Sequence, residues 1–187
     1  MPEEPDWTPA YFELSFGLKD RREQDAVSKD EPVVLDAGIQ LRGSIDLVEK
    51  DDTGRLRATD YKTGKVRAKK GDVIANGEIL QPVLYALTIE KLFPGRDVKE
   101  GRLYYCTATG DFTKVDIPLD ADARAAAQLV AKTIGEAIST GFLPAAPAKD
   151  ACKYCDFRGV CGPYEEIRTK RKMKDRLKGL IELRRQK

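Results

Sequence analysis

The chain has 187 residues, 41 % hydrophobic and 34 % charged, which suits one domain with a real core and a highly polar surface. Its net charge of +2 does not by itself argue for a nucleic-acid partner. The absence of histidine excludes a Ser-His-Asp triad, a Cys-His pair and any His-ligated metal within the chain, so catalysis must use carboxylates, lysine, tyrosine or thiolate.

Residues 1–10 are Pro-rich and read as irregular. Tyr11 to Phe16 alternates apolar and polar residues and predicts a strand. The charge-dense stretch from Leu18 to Pro32 reads as a surface loop. Val33 to Glu49, with Leu41, Gly43, Ile45 and Leu47 alternating, predicts a strand with one buried face. Asp51-Asp52-Thr53-Gly54 is a turn by composition, and Leu56 to Lys62 is the returning strand. Thr63 to Asp72 is a basic loop carrying Lys65, Arg67, Lys69 and Lys70. Glu78 to Phe93 predicts a helix whose apolar stripe is Leu80, Val83, Leu84, Leu87 and Ile89, with Pro82 tolerated in the first turn.

Beyond Pro94-Gly95, Arg102 to Thr107 and Phe112 to Ile117 predict two strands joined by a tight Gly110-Asp111 turn. Asp120 to Thr140 predicts an Ala-rich helix closed by Gly141. A Pro/Ala linker, Leu143 to Lys149, leads to a cysteine cluster, and the chain from Pro163 onward reads as a long basic helix. From Arg168 to Lys187 there are ten basic and two acidic residues. The leucines of this stretch can dock on the domain while the basic face binds DNA phosphates, or is simply solvated, or packs on a further domain. The element order predicts an α/β fold with a mixed central sheet flanked by helices.

The hairpin from Leu41 to Lys62 carries the candidate chemistry. With the turn near Asp52-Thr53, residues whose numbers sum to about 106 face one another, which sets Asp46 opposite Asp60. Two carboxylates so close repel, and a hard divalent cation such as Mg²⁺ would relieve them. Lys62 shares the face of Asp60, and Tyr61 points the other way, toward the core. Two carboxylates and an ammonium suffice for metal-assisted phosphodiester hydrolysis. The same residues equally suit a salt-bridge ladder on a solvated hairpin, and a one-residue slip in register would undo the pairing. Cys152, Cys155 and Cys161, in a chain with no apolar run long enough to span a membrane and no secretory signal, read as metal or cluster ligands in a cytoplasmic protein.

Gly43-Ser44-Ile45-Asp46 followed by Thr59-Asp60-Tyr61-Lys62-Thr63-Gly64-Lys65 resembles the nuclease domain of the RecB and AddB family, in the PD-(D/E)XK superfamily. Gln81-Pro82-Val83-Leu84-Tyr85 resembles that family's Gln-x-x-x-Tyr signature, and Tyr11 to Gly17 looks like the strand before its catalytic hairpin. The resemblance implies a restriction-endonuclease-like fold and a Mg²⁺- or Mn²⁺-dependent DNA nuclease. It implies metal ligation by Asp46, Asp60 and the Tyr61 carbonyl, catalysis by Asp46, Asp60, Lys62, Gln81 and Tyr85, and DNA contacts from Lys65, Arg67, Lys69 and Lys70. Cys152-x-x-Cys155-x5-Cys161 resembles the AddB-type trio that helps bind a [4Fe-4S] cluster.

The chain departs from the family pattern in two places. The helix with a metal-site His or Glu and the upstream cluster cysteine are missing, and Cys106 reads as a core residue in a strand. The resemblance therefore implies the C-terminal part of a longer helicase-nuclease subunit acting in recombination repair with a partner subunit. It also implies weak metal binding, low activity and an incomplete cluster for this chain alone. No Gly-rich phosphate loop is present, so ATP hydrolysis would lie elsewhere. Residues 1–148 are expected to form the nuclease core and 149–187 the cysteine motif and basic helix. An inactive DNA-binding or assembly module of the same fold, and a zinc-ribbon interaction domain, are the competing readings.

Overall fold

The computed structural model describes residues 6–19, 24–36, 38–148, 150–162, 164–171 and 175–186. Its centre is a five-stranded sheet of β1 (Trp7–Phe16), β4 (Gly43–Asp51), β5 (Leu56–Lys62), β6 (Val98–Tyr105) and β7 (Lys114–Pro118), in that spatial order. Only β5 and β6 run parallel; the other neighbours are antiparallel. A parallel pair needs a crossover, and α1 (Gln81–Leu92) supplies it. The sheet is thus mixed, as the element order predicts.

The strands depart from the sequence expectations at their ends. β1 begins at Trp7, so the second half of the expected irregular leader is strand, with a bulge between Pro9 and Tyr11; residues 1–5 lie outside the described residues. The single strand expected from Val33 is broken: β2 (Val33–Val34) and β3 (Gln40–Leu41) form a small separate hairpin before β4. β6 starts at Val98 and ends at Tyr105, leaving Cys106 just outside it.

The turn between β4 and β5 is built by Asp51. Its Oδ1 accepts from the Thr53 amide (3.0 Å), the Thr53 hydroxyl (2.8 Å) and the Arg55 amide (2.9 Å), and its Oδ2 accepts from Arg55 Nε (2.7 Å). Burial pushes this carboxyl up, but the Thr53 and Arg55 hydrogen bonds and the Arg55 charge outweigh it and hold the pKa at about 2. A turn so fixed sets the register, and the observed pairs Leu47↔Thr59, Val48↔Ala58 and Glu49↔Arg57 follow the expected sum.

α1 covers β5 and β6, and α2 (Ala121–Ser139) packs beside α1 with Asp120 as its N-cap. The core joins Val48, Leu56 and Ala58 of the sheet to Val83, Ala86 and Ile89 of α1 and Ala123, Ala127 and Val130 of α2. Val83, Ala86 and Ile89 are the buried stripe of α1; Leu84 and Leu87, expected in it, are half-buried on its flank. Gly101 brings the start of α1 down onto β6, because a Cβ there would stand 2.1 Å from the Pro82 carbonyl oxygen. That contact seats Gln81 over the end of the sheet.

The opposite face of the sheet is paired charge. Arg57 donates to both Glu49 oxygens at 2.7 Å, the Thr59 hydroxyl donates to Glu49 at 2.5 Å, and Arg57 lies 3.5 Å from Glu100. Arg102 is bidentate on Asp116, and the Trp7 ring stacks 4.1 Å from the Arg57 guanidinium. Burial works to raise Glu49, but Arg57 and Thr59 outweigh it and hold its carboxyl below the ordinary value.

In place of one long C-terminal helix the described residues carry α3 (Arg158–Cys161), α4 (Glu165–Lys170), a 3₁₀ turn and α5 (Lys178–Leu183). α5 packs on α2, and Leu183 joins the main core while Arg184 and Arg185 stay exposed, so the leucines dock as expected. Lys172 and Lys174 lie outside the described residues. No helix among the described residues is long and apolar enough to cross a membrane.

Candidate active site

The ladder between β4 and β5 ends at Leu47↔Thr59, one position short of Asp46 and Asp60. Beyond it the Asp46 side chain takes over a bond the backbone would have made: Oδ2 accepts from the Tyr61 amide at 2.8 Å. Asp46 is half-buried and Asp60 is only 4 % exposed. Asp60 Oδ2 is buried, and Lys62 Nζ stands 2.6 Å away as its ion-pair partner. Burial and the nearby Asp46 charge raise the Asp60 pKa above its ordinary value, and Lys62 offsets this only in part.

The lysine is held from two sides. Lys62 Nζ also donates to Gln81 Oε1 at 2.6 Å, and Gln81 Nε2 lies 3.5 Å from the Tyr85 hydroxyl. Gln81 and Tyr85 sit one helical turn apart on the first two turns of α1, so both face the sheet end. Burial and the Asp60 and Asp46 charges raise the Tyr85 pKa, which keeps the phenol a proton donor at neutral pH. Phe16 closes the wall behind it, edge-on to Tyr85 at 6.5 Å. Asp46, Asp60, Lys62, Gln81 and Tyr85 are thereby one connected group.

Tyr61 is a correction. It does point away from Asp60 and Lys62, but not into a core: its side of the sheet end is open, and the ring is 43 % exposed and tilted against Tyr104 at 5.8 Å. Cys106 is a second correction. It is half-buried past the end of β6, where its amide donates to the Lys62 carbonyl at 3.0 Å and its Sγ lies 3.7 Å from the same oxygen.

The basic loop after β5 is held down by residues that nothing in the sequence pairs with it. The Tyr105 hydroxyl accepts from the Arg67 and Ala68 amides at 3.2 and 3.3 Å, and the Thr107 hydroxyl donates to the Thr63 carbonyl at 3.0 Å. Ala68 is buried against Leu103 and Tyr105, and Lys65, Arg67, Lys69 and Lys70 remain exposed around it. None of these four side chains forms an ion pair among the described residues.

Among the described residues no group of three or more His, Cys, Asp or Glu is placed to hold a metal ion. Cys152 is buried, Cys161 half-buried and Cys155 exposed, and they are not gathered on one point. The Asp46–Asp60 pair supplies two carboxylates, and a cation there would take its other ligands from backbone, water or substrate. The buried Asp60 carboxylate, raised by burial and by the neighbouring Asp46 charge in spite of Lys62, fits such a cation.

A family model described as the PD-(D/E)XK nuclease superfamily matches residues 2–162. No curated protein matched the sequence. The matched span includes the whole sheet, Asp46, Asp60, Lys62 and α1, and a mixed sheet flanked by helices agrees with a restriction-endonuclease-like fold. By this match, over most of its length, the chain belongs to the PD-(D/E)XK nuclease superfamily.

Proposed function

We propose that the chain is the nuclease domain of a RecB- or AddB-like subunit and hydrolyses DNA phosphodiester bonds with Mg²⁺ or Mn²⁺. The observation that carries this reading is Asp60: a carboxylate only 4 % exposed, whose pKa burial and the Asp46 charge raise even with the Lys62 ammonium 2.6 Å away. Asp46, Asp60 and the Tyr61 carbonyl would hold the cation, which supplies positive charge against the phosphate and acidifies a water. Lys62, fixed between Asp60 and Gln81, sets its ammonium where charge develops on the phosphoryl oxygens. Tyr85, kept protonated, steadies Gln81 and offers a donor to the same phosphate. Lys65, Arg67, Lys69 and Lys70 track the backbone of the incoming strand.

The resemblance supports a wider setting: a helicase-nuclease machine for double-strand break repair in the cytoplasm, with a [4Fe-4S] cluster completed in a longer protein from Cys152, Cys155, Cys161 and an upstream cysteine. Residues 1–148 would be the catalytic core and 149–187 the cysteine and basic appendage. The second reading, a DNA-binding or assembly module that has lost hydrolysis, draws on one observation, that only two carboxylates meet at the site. Metal-dependent cleavage of linear DNA by the full-length protein, abolished by Asp60→Ala and by Lys62→Ala, is the expected result. Cleavage that survives either change would remove these residues from the chemistry.

A further inference from the structure

A second cationic feature lies on the other side of the site from the basic loop. A cleft of about 720 Å³ opens at the junction of β1 and β4, lined by Gly17, Leu18, Lys19, Asp30, Pro32 and Arg42. Lys19 and Arg42 are exposed and form no ion pair among the described residues. Asp30 shares the cleft, so two cations stand against one carboxylate. The cleft is shaped by the backbone. Gly17 has φ +67°, and a Cβ there would stand 2.8 Å from Arg42 Cγ and 2.9 Å from Pro32 Cα. The Arg42 stem therefore lies over a bare glycine and holds the guanidinium at the rim.

The cleft opens at the same end of the sheet as the active site, since Arg42 stands just before β4 and Lys62 ends the antiparallel β5. Gly43, next to Arg42, pairs with Phe16, and Phe16 stands against Tyr85. Arg42 precedes Asp46 by four residues, about 13 Å of strand, or about four nucleotides at the ~3.4 Å rise of a stacked DNA strand. The basic loop leaves the opposite side, directly after Lys62. The carboxylates thus sit between two groups of cations, one on each flank of the sheet end.

We propose that Lys19 and Arg42 form a second phosphate subsite, which takes the DNA strand on the side of the scissile bond away from the basic loop. The strand then crosses the end of the sheet, from the Lys65–Lys70 loop over Asp46 and Asp60 to the cleft. This placement rests on the nuclease reading for its direction, but its binding test does not depend on cleavage.

The test is fluorescence anisotropy with a labelled single-stranded DNA of about 20 nucleotides in a metal chelator, between about 50 and 200 mM salt. The double variant Lys19→Ala, Arg42→Ala should weaken binding roughly tenfold or more at the middle of that range and flatten the log–log salt slope by about 1.4, which is about 0.7 per phosphate lost. Arg42→Gln alone should remove half of that change in slope. Gly17→Val should reproduce the Arg42 share of the loss with both cations still present, and a thermal melt confirms that each variant is folded. Folded variants with unchanged affinity and slope, while Lys65, Lys69 and Lys70 substitutions do flatten it, would overturn the subsite. That outcome leaves cleavage by the wild type untouched and the nuclease reading intact. Conversely, a flattened slope in a chain that cleaves DNA with neither Mg²⁺ nor Mn²⁺ supports the subsite and sinks the nuclease reading alone.

Discussion

Strand β5 carries charge on both of its faces, and the two sets are kept in opposite ways. On one face Arg57 and Thr59 satisfy both oxygens of Glu49, and Arg102 clasps Asp116, so each buried ion has its partner. On the other, one or three residues further along the same strand, Asp60 is buried with a second carboxylate close by and the part-exposed Lys62 ammonium as its ion-pair partner. Glu49 of the first set is lowered, whereas burial raises Glu100 on the same face as it raises Asp60 on the other. Buried ions that are fully paired hold strands together, whereas one left short of partners is destabilised in the free chain and stabilised by a ligand that brings the missing charge.

The largest effect expected from this contrast is on activity. Gln81→Ala should leave the fold intact and lower kcat by about 10²-fold or less, because it frees the Lys62 ammonium that must meet developing charge. Gln81→Glu, which keeps an acceptor for the Lys62 ammonium, should lose less than Gln81→Ala, with KM unchanged in both; no loss in either would detach α1 from the chemistry.

The next effect is on stability. Arg57→Ala strands Glu49 in a buried position and should cost about 3–5 kcal/mol, read from urea unfolding. Asp60→Asn gives up the Lys62 ion pair but also relieves a buried charge beside Asp46, so it should cost about 1 kcal/mol or less in the metal-free chain. Equal destabilisation by the two would erase the distinction between the faces.

A smaller effect separates them by pH. Glu49 is lowered, so its contribution is full above its ordinary value of 4.5 and is lost as pH falls through the folded pKa. Asp60 is raised, so its contribution is full below 3.8 and is lost as pH rises through the folded pKa. The stability of Asp60→Asn relative to wild type should therefore improve as pH climbs from below 3.8. A flat difference between the two unfolding curves would mean that Asp60 titrates as it does in the unfolded chain.

What the sequence made legible was local. The Asp51–Gly54 turn fixes its own geometry with hydrogen bonds inside five residues, so the β4–β5 register, and with it the meeting of Asp46, Asp60 and Lys62, could be counted from it. Pro82 marked the first turn of α1 because proline fits there and hardly anywhere later in a helix. The parts that were not legible depend on long-range contacts. Period-two alternation says that Tyr61 opposes Asp60 but not that its side lies open beside Tyr104. The hold of Tyr105 on the basic loop joins residues 37 or more apart through the parallel β5–β6 pairing, whose register no local turn fixes. Nor does the sequence show that α5 lies against α2 with Leu183 in the main core.

The account stands most directly on one measurement: thermal unfolding of the chain and of Asp60→Asn with and without Mn²⁺ at neutral pH. Mn²⁺ at about a hundred times its Kd should stabilise the wild type by about 2.7 kcal/mol and leave Asp60→Asn where it was. No response in the wild type, or the same response in both proteins, would contradict a cation site at the buried Asp60 oxygen.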